Sequence, residues 1–197
     1  MLRIKLTLLT LIISACATVS NSDVILLDSK PINAKSEKIV ENQLNETSID
    51  IWERIRRELT IKIPDDQIAA TSIYRERLYK NQSAVNRISK SGQRYLFHTL
   101  SRAQELDLPV ELALLPFVES EFDPYAKSVD GATGIWQFMP ATGKEWGLKS
   151  NWWYDGKKDV LASTEAALKF LSYLHQKFDE DWLLAMAAYN TGPSRVN

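Results

Sequence analysis

Glu119 sits in the stretch Leu114-Leu115-Pro116-Phe117-Val118-Glu119-Ser120-Glu121-Phe122, where apolar residues crowd one carboxyl group. Water stabilises a carboxylate far better than hydrocarbon does, so a carboxyl among apolar neighbours resists ionisation and stays available as a proton donor near neutral pH. That is what the general acid of glycosidic-bond cleavage requires. Most enzymes of that kind set a second carboxylate across the bond. Glu121 is two positions on and points to a different face of a helix, so it cannot flank one bond together with Glu119. Asp123 precedes Pro124 and suits a turn or cap. From residue types alone Glu119 has a second reading, a helix-end salt-bridge partner.

Other chemistries find less support. Two histidines, His98 and His175, and a single cysteine, Cys16, are far apart in sequence and do not make a zinc constellation, so no metal and no cofactor are expected. A formal net charge of -1 gives no overall positive field for phosphate, which argues against nucleic acid as the partner.

The elements that must hold Glu119 read as helices. Ile51, Trp52, Ile55 and Leu59, and then Leu96, Leu100, Ala103 and Leu106, recur at three- and four-residue steps, and no long stretch alternates as a strand would. The fold class expected is all-α. Pro109 suits the first turn of a helix running from 110 to about 122, with an irregularity at Pro116, whose ring carries no N–H. Asp159 precedes a longer helix with Ala166, Phe170, Leu174 and Phe178 on one face. Asp181 suits the N-cap of a last helix, 182–189, apolar on every side and so expected in the middle of the domain. Gly192 and Pro193 end it. Between these helices, residues 128–148 hold Gly131, Gly134, Gly143, Gly147 and Trp136, with Pro140 able to open a short helix. This reads as a half-buried wall of a groove.

The N-terminal residues read as an address. Arg3 and Lys5 precede an apolar run from 6 to 13 that is too short to span a bilayer, which takes about 20 apolar residues. Ile13-Ser14-Ala15-Cys16 is similar to the lipobox of bacterial lipoproteins, which implies a signal peptide at 1–15 and acylation of Cys16. Ala17 in place of Asp favours the outer membrane by the same analogy, so the location expected is the periplasm, on a lipid anchor. Residues 16–49 are rich in Ser, Asn, Lys and Glu, contain one proline and no aromatic, show weak periodicity and read as a flexible tether.

Three separated motifs then carry a resemblance. Residues 108–116 with Val118-Glu119-Ser120, the run 131–140 (Gly131-Ala132-Thr133-Gly134-Ile135-Trp136-Gln137-Phe138-Met139-Pro140), and Ala188-Tyr189-Asn190-Thr191-Gly192 together resemble the lytic transglycosylases of the soluble lytic transglycosylase catalytic-domain family. The likeness extends over residues 50–197. It implies a lysozyme-like, goose-type helical domain at 108–197 preceded by a helical segment at 50–107, and a groove for peptidoglycan glycan strands. Glu119 matches the catalytic glutamate. By the resemblance it protonates the oxygen between N-acetylmuramic acid and N-acetylglucosamine, then deprotonates the 6-hydroxyl that closes a 1,6-anhydro ring. Ser120 would help hold the glutamate, Ser128, Gln137 and Met139 would line the sugar subsite, and Tyr189 and Asn190 would close the groove. Considered by itself, Met139 reads as core and Gln137 as a cap of the glycine-rich loop, while Trp146, Trp152, Trp153 and Trp182 are of a type that can stack on sugars but is more often core, and none of them is assigned to substrate. The sequence ends seven residues after Asn190, where that family continues into further helices, so a C-terminally shortened domain is expected. A hydrolytic muramidase and a glycan-binding lipoprotein with weak or no activity are the alternative readings.

Overall fold

Asp50 opens the first helix, α1 (Ile51–Glu58), by accepting the Trp52 N–H on its side chain, and Ile55 is the residue that α1 buries completely. The computed structural model describes residues 50–64, 68, 72, 76 and 79–196. The leader at 1–15, Cys16 and the tether to residue 49 lie outside the described residues. After α1 come α2 (Gln82–Gly92), α3 (Leu96–Glu105), a 3-10 turn (Val110–Leu114), α4 (Leu115–Ser120), α5 (Pro140–Glu145), α6 (Val160–Lys177), α7 (Trp182–Thr191) and a short 3-10 turn (Pro193–Arg195). Extended pairing among the described residues is confined to isolated antiparallel bridges, Lys127 with Thr133, Thr133 with Phe138, and Ser150 with Asp155. The domain is all-α, as the periodicity indicates.

The core forms where α6 packs on α3 and α7. Leu96, Leu100 and Ala103 of α3, Ala167, Leu168, Leu171 and Leu174 of α6, and Ala185 and Ala188 of α7 are buried. Alanines among the leucines let the helix axes approach while each buried leucine contributes about 1.5–3 kcal/mol. Lys169 and Lys177 remain in solvent, on the faces of α6 turned from this core.

Two expectations are corrected. The helix drawn from 110 to 122 is two elements, because an α-helix would need residue 116 to donate to the carbonyl of residue 112, and proline has no N–H. Leu115 donates to the Leu112 carbonyl instead, a tighter winding, and Pro116 falls in the first turn of α4. The chain then leaves the helix after Ser120, since Glu121 (φ 53°) and Phe122 (φ 60°) take left-handed conformations. The second correction concerns α7, which is not buried all round: Leu184 is 42% exposed, and its buried residues are Ala185, Met186 and Ala188.

Caps fix the long helices in register. Asp181 accepts the N–H groups of Leu183 (2.7 Å) and Leu184 (3.0 Å). Asp159 accepts the Ala162 N–H at 3.0 Å and the Tyr154 hydroxyl at 3.0 Å, and these bonds, led by that from Ala162, hold its carboxyl below the usual carboxylate range. A depressed carboxylate stabilises the fold above its unfolded-state pKa and loses that contribution as pH falls through its folded pKa. Asp159→Ala is therefore expected to cost about 1 kcal/mol at neutral pH. In urea melts the gap from the parent chain should narrow below about pH 4.

Candidate active site

The left-handed reversal at Glu121 and Phe122 leaves Glu119, half-buried, on the last turn of α4. The neighbouring acids are engaged elsewhere. Glu121 is drawn outward by Arg87, which donates from Nε and from Nη2 at 3.0 Å each. Asp123 accepts the Tyr125 N–H at 2.8 Å and holds the turn that follows.

The glycine-rich segment closes on itself through its backbone. Gly134 donates to Ala126 (3.0 Å), Ser128 to Ala132 (2.9 Å), and Thr133 and Phe138 exchange bonds of 3.0 and 3.1 Å. Gly134 is required twice over. Its φ of +83° belongs to the left-handed region, and a Cβ there would stand 1.8 Å from the Lys157 carbonyl oxygen. The Gln137 amide donates to the Gly134 carbonyl at 2.9 Å, and the Ser128 hydroxyl accepts the Ala132 N–H at 3.0 Å, so both brace the loop from within. Met139 ends the segment ahead of α5 and is 42% exposed, not core. The centre of the segment is also deeper than a half-buried wall. Ile135, Trp136 and Phe138 are buried, because the Trp136 indole N–H reaches Thr164 Oγ1 of α6 at 3.0 Å and anchors the loop to the core.

Two hydroxyls then join the three motifs. Ser120 Oγ donates to the Ile135 carbonyl at 2.9 Å, and the Tyr189 hydroxyl donates to the Trp136 carbonyl at 2.9 Å. The ring of Tyr189 packs edge-on against Phe138, with 6.2 Å between centroids. Burial, and after it the negative charge of Glu119, push the Tyr189 phenol well above its usual pKa, so it stays a neutral donor. The carboxyl of Glu119 is thus electrostatically coupled to Tyr189. Asn190 follows on the same turn of α7, half-buried. Glu119, Ser120, the loop carrying Gln137, and Tyr189 meet at one junction, while Ser128 and Met139 stand towards the two ends of that loop.

One supporting residue escaped the sequence reading. Glu111 is buried, and its Oε1 accepts the N–H groups of Thr60 and Ile61 at 2.6 Å each, which pins the chain after α1 onto the turn that leads into α4. Spacing gives no hint of a bond across about fifty residues. Only the oddity of an acid inside the apolar run 108–118 could have flagged it. Glu111→Ala would leave two N–H groups unpaired and is expected to lower stability by about 3 kcal/mol, whereas Glu111→Gln, which keeps an accepting oxygen, should lose less. Denaturant midpoints of the two variants check this.

The transglycosylase SLT domain matches residues 97–197, just over half of the chain, from α3 through all three motifs. The chain belongs to this family. The chain is 40% identical over 147 residues to membrane-bound lytic murein transglycosylase D of Escherichia coli strain K12, a match that covers 75% of this chain and 32% of that protein. It is 42% identical over 89 residues to the peptidoglycan transglycosylase gp16 of Escherichia phage T7, covering 43% and 6% of the two chains. Over 108 residues it is 31% identical to the soluble lytic murein transglycosylase of Salmonella typhimurium, covering 51% and 16%. The chain therefore spans about a third of the length of the membrane-bound relative.

Proposed function

We propose that this transglycosylase SLT domain is a lytic transglycosylase that cleaves the β-1,4 bond between N-acetylmuramic acid and N-acetylglucosamine in peptidoglycan. The observation that carries this reading is the placement of Glu119 at the junction where Ser120 and the half-buried Tyr189 bond to adjacent carbonyls of the glycine-rich loop, with its two acidic neighbours engaged by Arg87 and by a backbone N–H. One carboxyl then has to serve both proton transfers. Protonated Glu119 gives its proton to the bridging oxygen, and the N-acetylglucosamine side departs as an alcohol. The positive charge that develops at C1 of the muramic acid is relieved by the sugar's own acetamido oxygen, as in the glycosidases that dispense with a carboxylate nucleophile. The Glu119 carboxylate next takes the proton of the 6-hydroxyl, whose oxygen bonds to C1. Glu119 returns to its acid form, the ring is a 1,6-anhydro sugar, and no water is consumed.

The surrounding residues have supporting parts. Ser120 fixes the end of α4 to the loop, Gln137 and Ser128 hold the loop's shape on the sugar side, Met139 and Asn190 offer contact surface at the rim, and Tyr189 keeps the wall closed beside the acid. Clearing of a suspension of purified sacculi tests the reading: the chain should clear it and Glu119→Gln should not, and equal clearing by both would remove Glu119 from the chemistry.

The site of action follows from the N-terminal motif. A lipid on Cys16 would hold the enzyme to a membrane, in the periplasm and on the outer membrane, with peptidoglycan strands as its partner. Cells fed a labelled fatty acid should incorporate it into the parent chain and not into Cys16→Ala. A parent chain without label would contradict the anchor.

A further inference from the structure

The loop between α5 and α6 leaves two tryptophans in solvent. Trp152 is 85% exposed and Trp153 is 72% exposed, with ring centroids 4.2 Å apart and planes inclined at 49°. Single exposed apolar residues need no explanation, but two adjacent indoles form a contiguous apolar surface that folding could have buried to advantage.

The loop is built to keep them there. The Asn151 side chain accepts the N–H groups of Trp153 (3.1 Å) and Tyr154 (2.8 Å), and its backbone N–H donates to the Tyr154 carbonyl at 2.7 Å. The loop's base is closed by Ser150 Oγ on Asp155 (2.9 Å), by Lys157 Nζ on Asp155 (2.6 Å) and by the Gly156 N–H on the Lys149 carbonyl (2.8 Å). The rings are therefore presented on a fixed frame, which lowers the entropy cost of binding through them. That frame abuts the candidate active-site wall, because the Lys157 carbonyl fills the space beside Gly134.

The chemistry around the rings selects the partner. Pyranose rings offer flat C–H faces that pack on indole, and their polar edges and peptide substituents need polar and cationic neighbours. Lys149 and Lys158 are exposed at the two ends of the loop, where the carboxylates of stem peptides would find complementary charge. A tip that enters a bilayer would surround its tryptophans with aliphatic residues, whereas here the flanking residues are Lys149, Ser150, Asn151, Tyr154, whose hydroxyl is held by Asp159, and Asp155.

We propose that Trp152 and Trp153 form an accessory glycan platform outside the catalytic junction, stacking on sugar rings of a peptidoglycan strand while Glu119 acts on a bond further along it. The proposal rests on peptidoglycan being the substrate. The platform does no chemistry. It adds affinity for long strands.

Binding without cleavage tests it. Glu119→Gln is mixed with purified sacculi and pelleted, alone and with Trp152→Ala and Trp153→Ala added together. The added pair should raise the apparent Kd roughly tenfold, as expected for loss of one or two aromatic contacts, without lowering the melting temperature. Trp152→Phe with Trp153→Phe should restore most of the affinity. Unchanged binding to sacculi would overturn the proposal. So would a loss confined to binding of phosphatidylglycerol vesicles, which would assign the loop to a membrane. Should the alanine variants melt early, Glu119→Gln alone still decides: an N-acetylglucosamine oligomer should shield its tryptophan fluorescence from acrylamide, and absence of shielding overturns the platform. Clearing of sacculi by the parent chain is scored separately, so a chain that binds through the tryptophans without clearing would refute the catalytic reading and leave the platform standing.

Discussion

Glu119→Gln is expected to slow peptidoglycan cleavage by at least about a thousandfold, because general acid and general base catalysis each contribute about 10²–10⁴ and in the proposed reaction one carboxyl supplies both. Glutamine keeps the shape and cannot give or take the proton. Stability should fall far less than activity, since glutamine keeps the size of the side chain and one accepting oxygen, and the bonds of Ser120 and Tyr189 to the loop carbonyls stay in place. Initial rates on sacculi, with thermal melts of both proteins, separate the chemical loss from a folding defect. A variant with a tenth of the parent rate would mean that another group carries the proton.

The second large effect lies at Gly134, and it acts through the fold. Gly134→Ala would place a Cβ 1.8 Å from the Lys157 carbonyl oxygen on a backbone whose φ of +83° is already unfavourable for alanine. Neither side can yield cheaply, because both are backbone. A loss of about 3 kcal/mol or more is expected, with activity falling further than stability because the loop also carries the carbonyls that receive Ser120 and Tyr189. Gly131→Ala is the control. Its φ is +90° but nothing lies within 4 Å of the added carbon, so only the conformational penalty of about 1 kcal/mol remains. Urea midpoints for the pair should differ clearly, and similar midpoints would show that the approach of Lys157 is not a constraint.

Much of this was legible before the structure. The faces of α3 and α6, the caps at Asp159 and Asp181, and the opening of α5 by Pro140 follow from period, side-chain oxygens and proline, which are local signals. The three motifs pointed to one place, and the structure brings Glu119, the glycine-rich loop and Tyr189 together there. What stayed hidden depends on partners distant in the chain. Trp136 reads as a groove wall until Thr164 claims its indole N–H and draws it inside. Glu111 reads as one more residue of a motif until Thr60 and Ile61 arrive. The division of the helix at Leu115 was nearer to hand, since the missing donor of Pro116 falls one turn after Leu112, and only the length of the irregularity was misjudged. Trp152 and Trp153 run the other way: tryptophan as a residue type reads as core, and only the hydrogen-bonded frame built by Asn151 shows the rings turned to solvent.

Whether water joins the product tests the central assignment most directly. Sacculi digested in heavy-oxygen water and analysed by mass spectrometry should yield muropeptides ending in 1,6-anhydro-muramic acid, one water lighter than a hydrolysed end and free of label at C1. Reducing ends carrying the heavy oxygen would contradict the account, since a water molecule would then have done what is assigned to the sugar's own 6-hydroxyl under the control of Glu119.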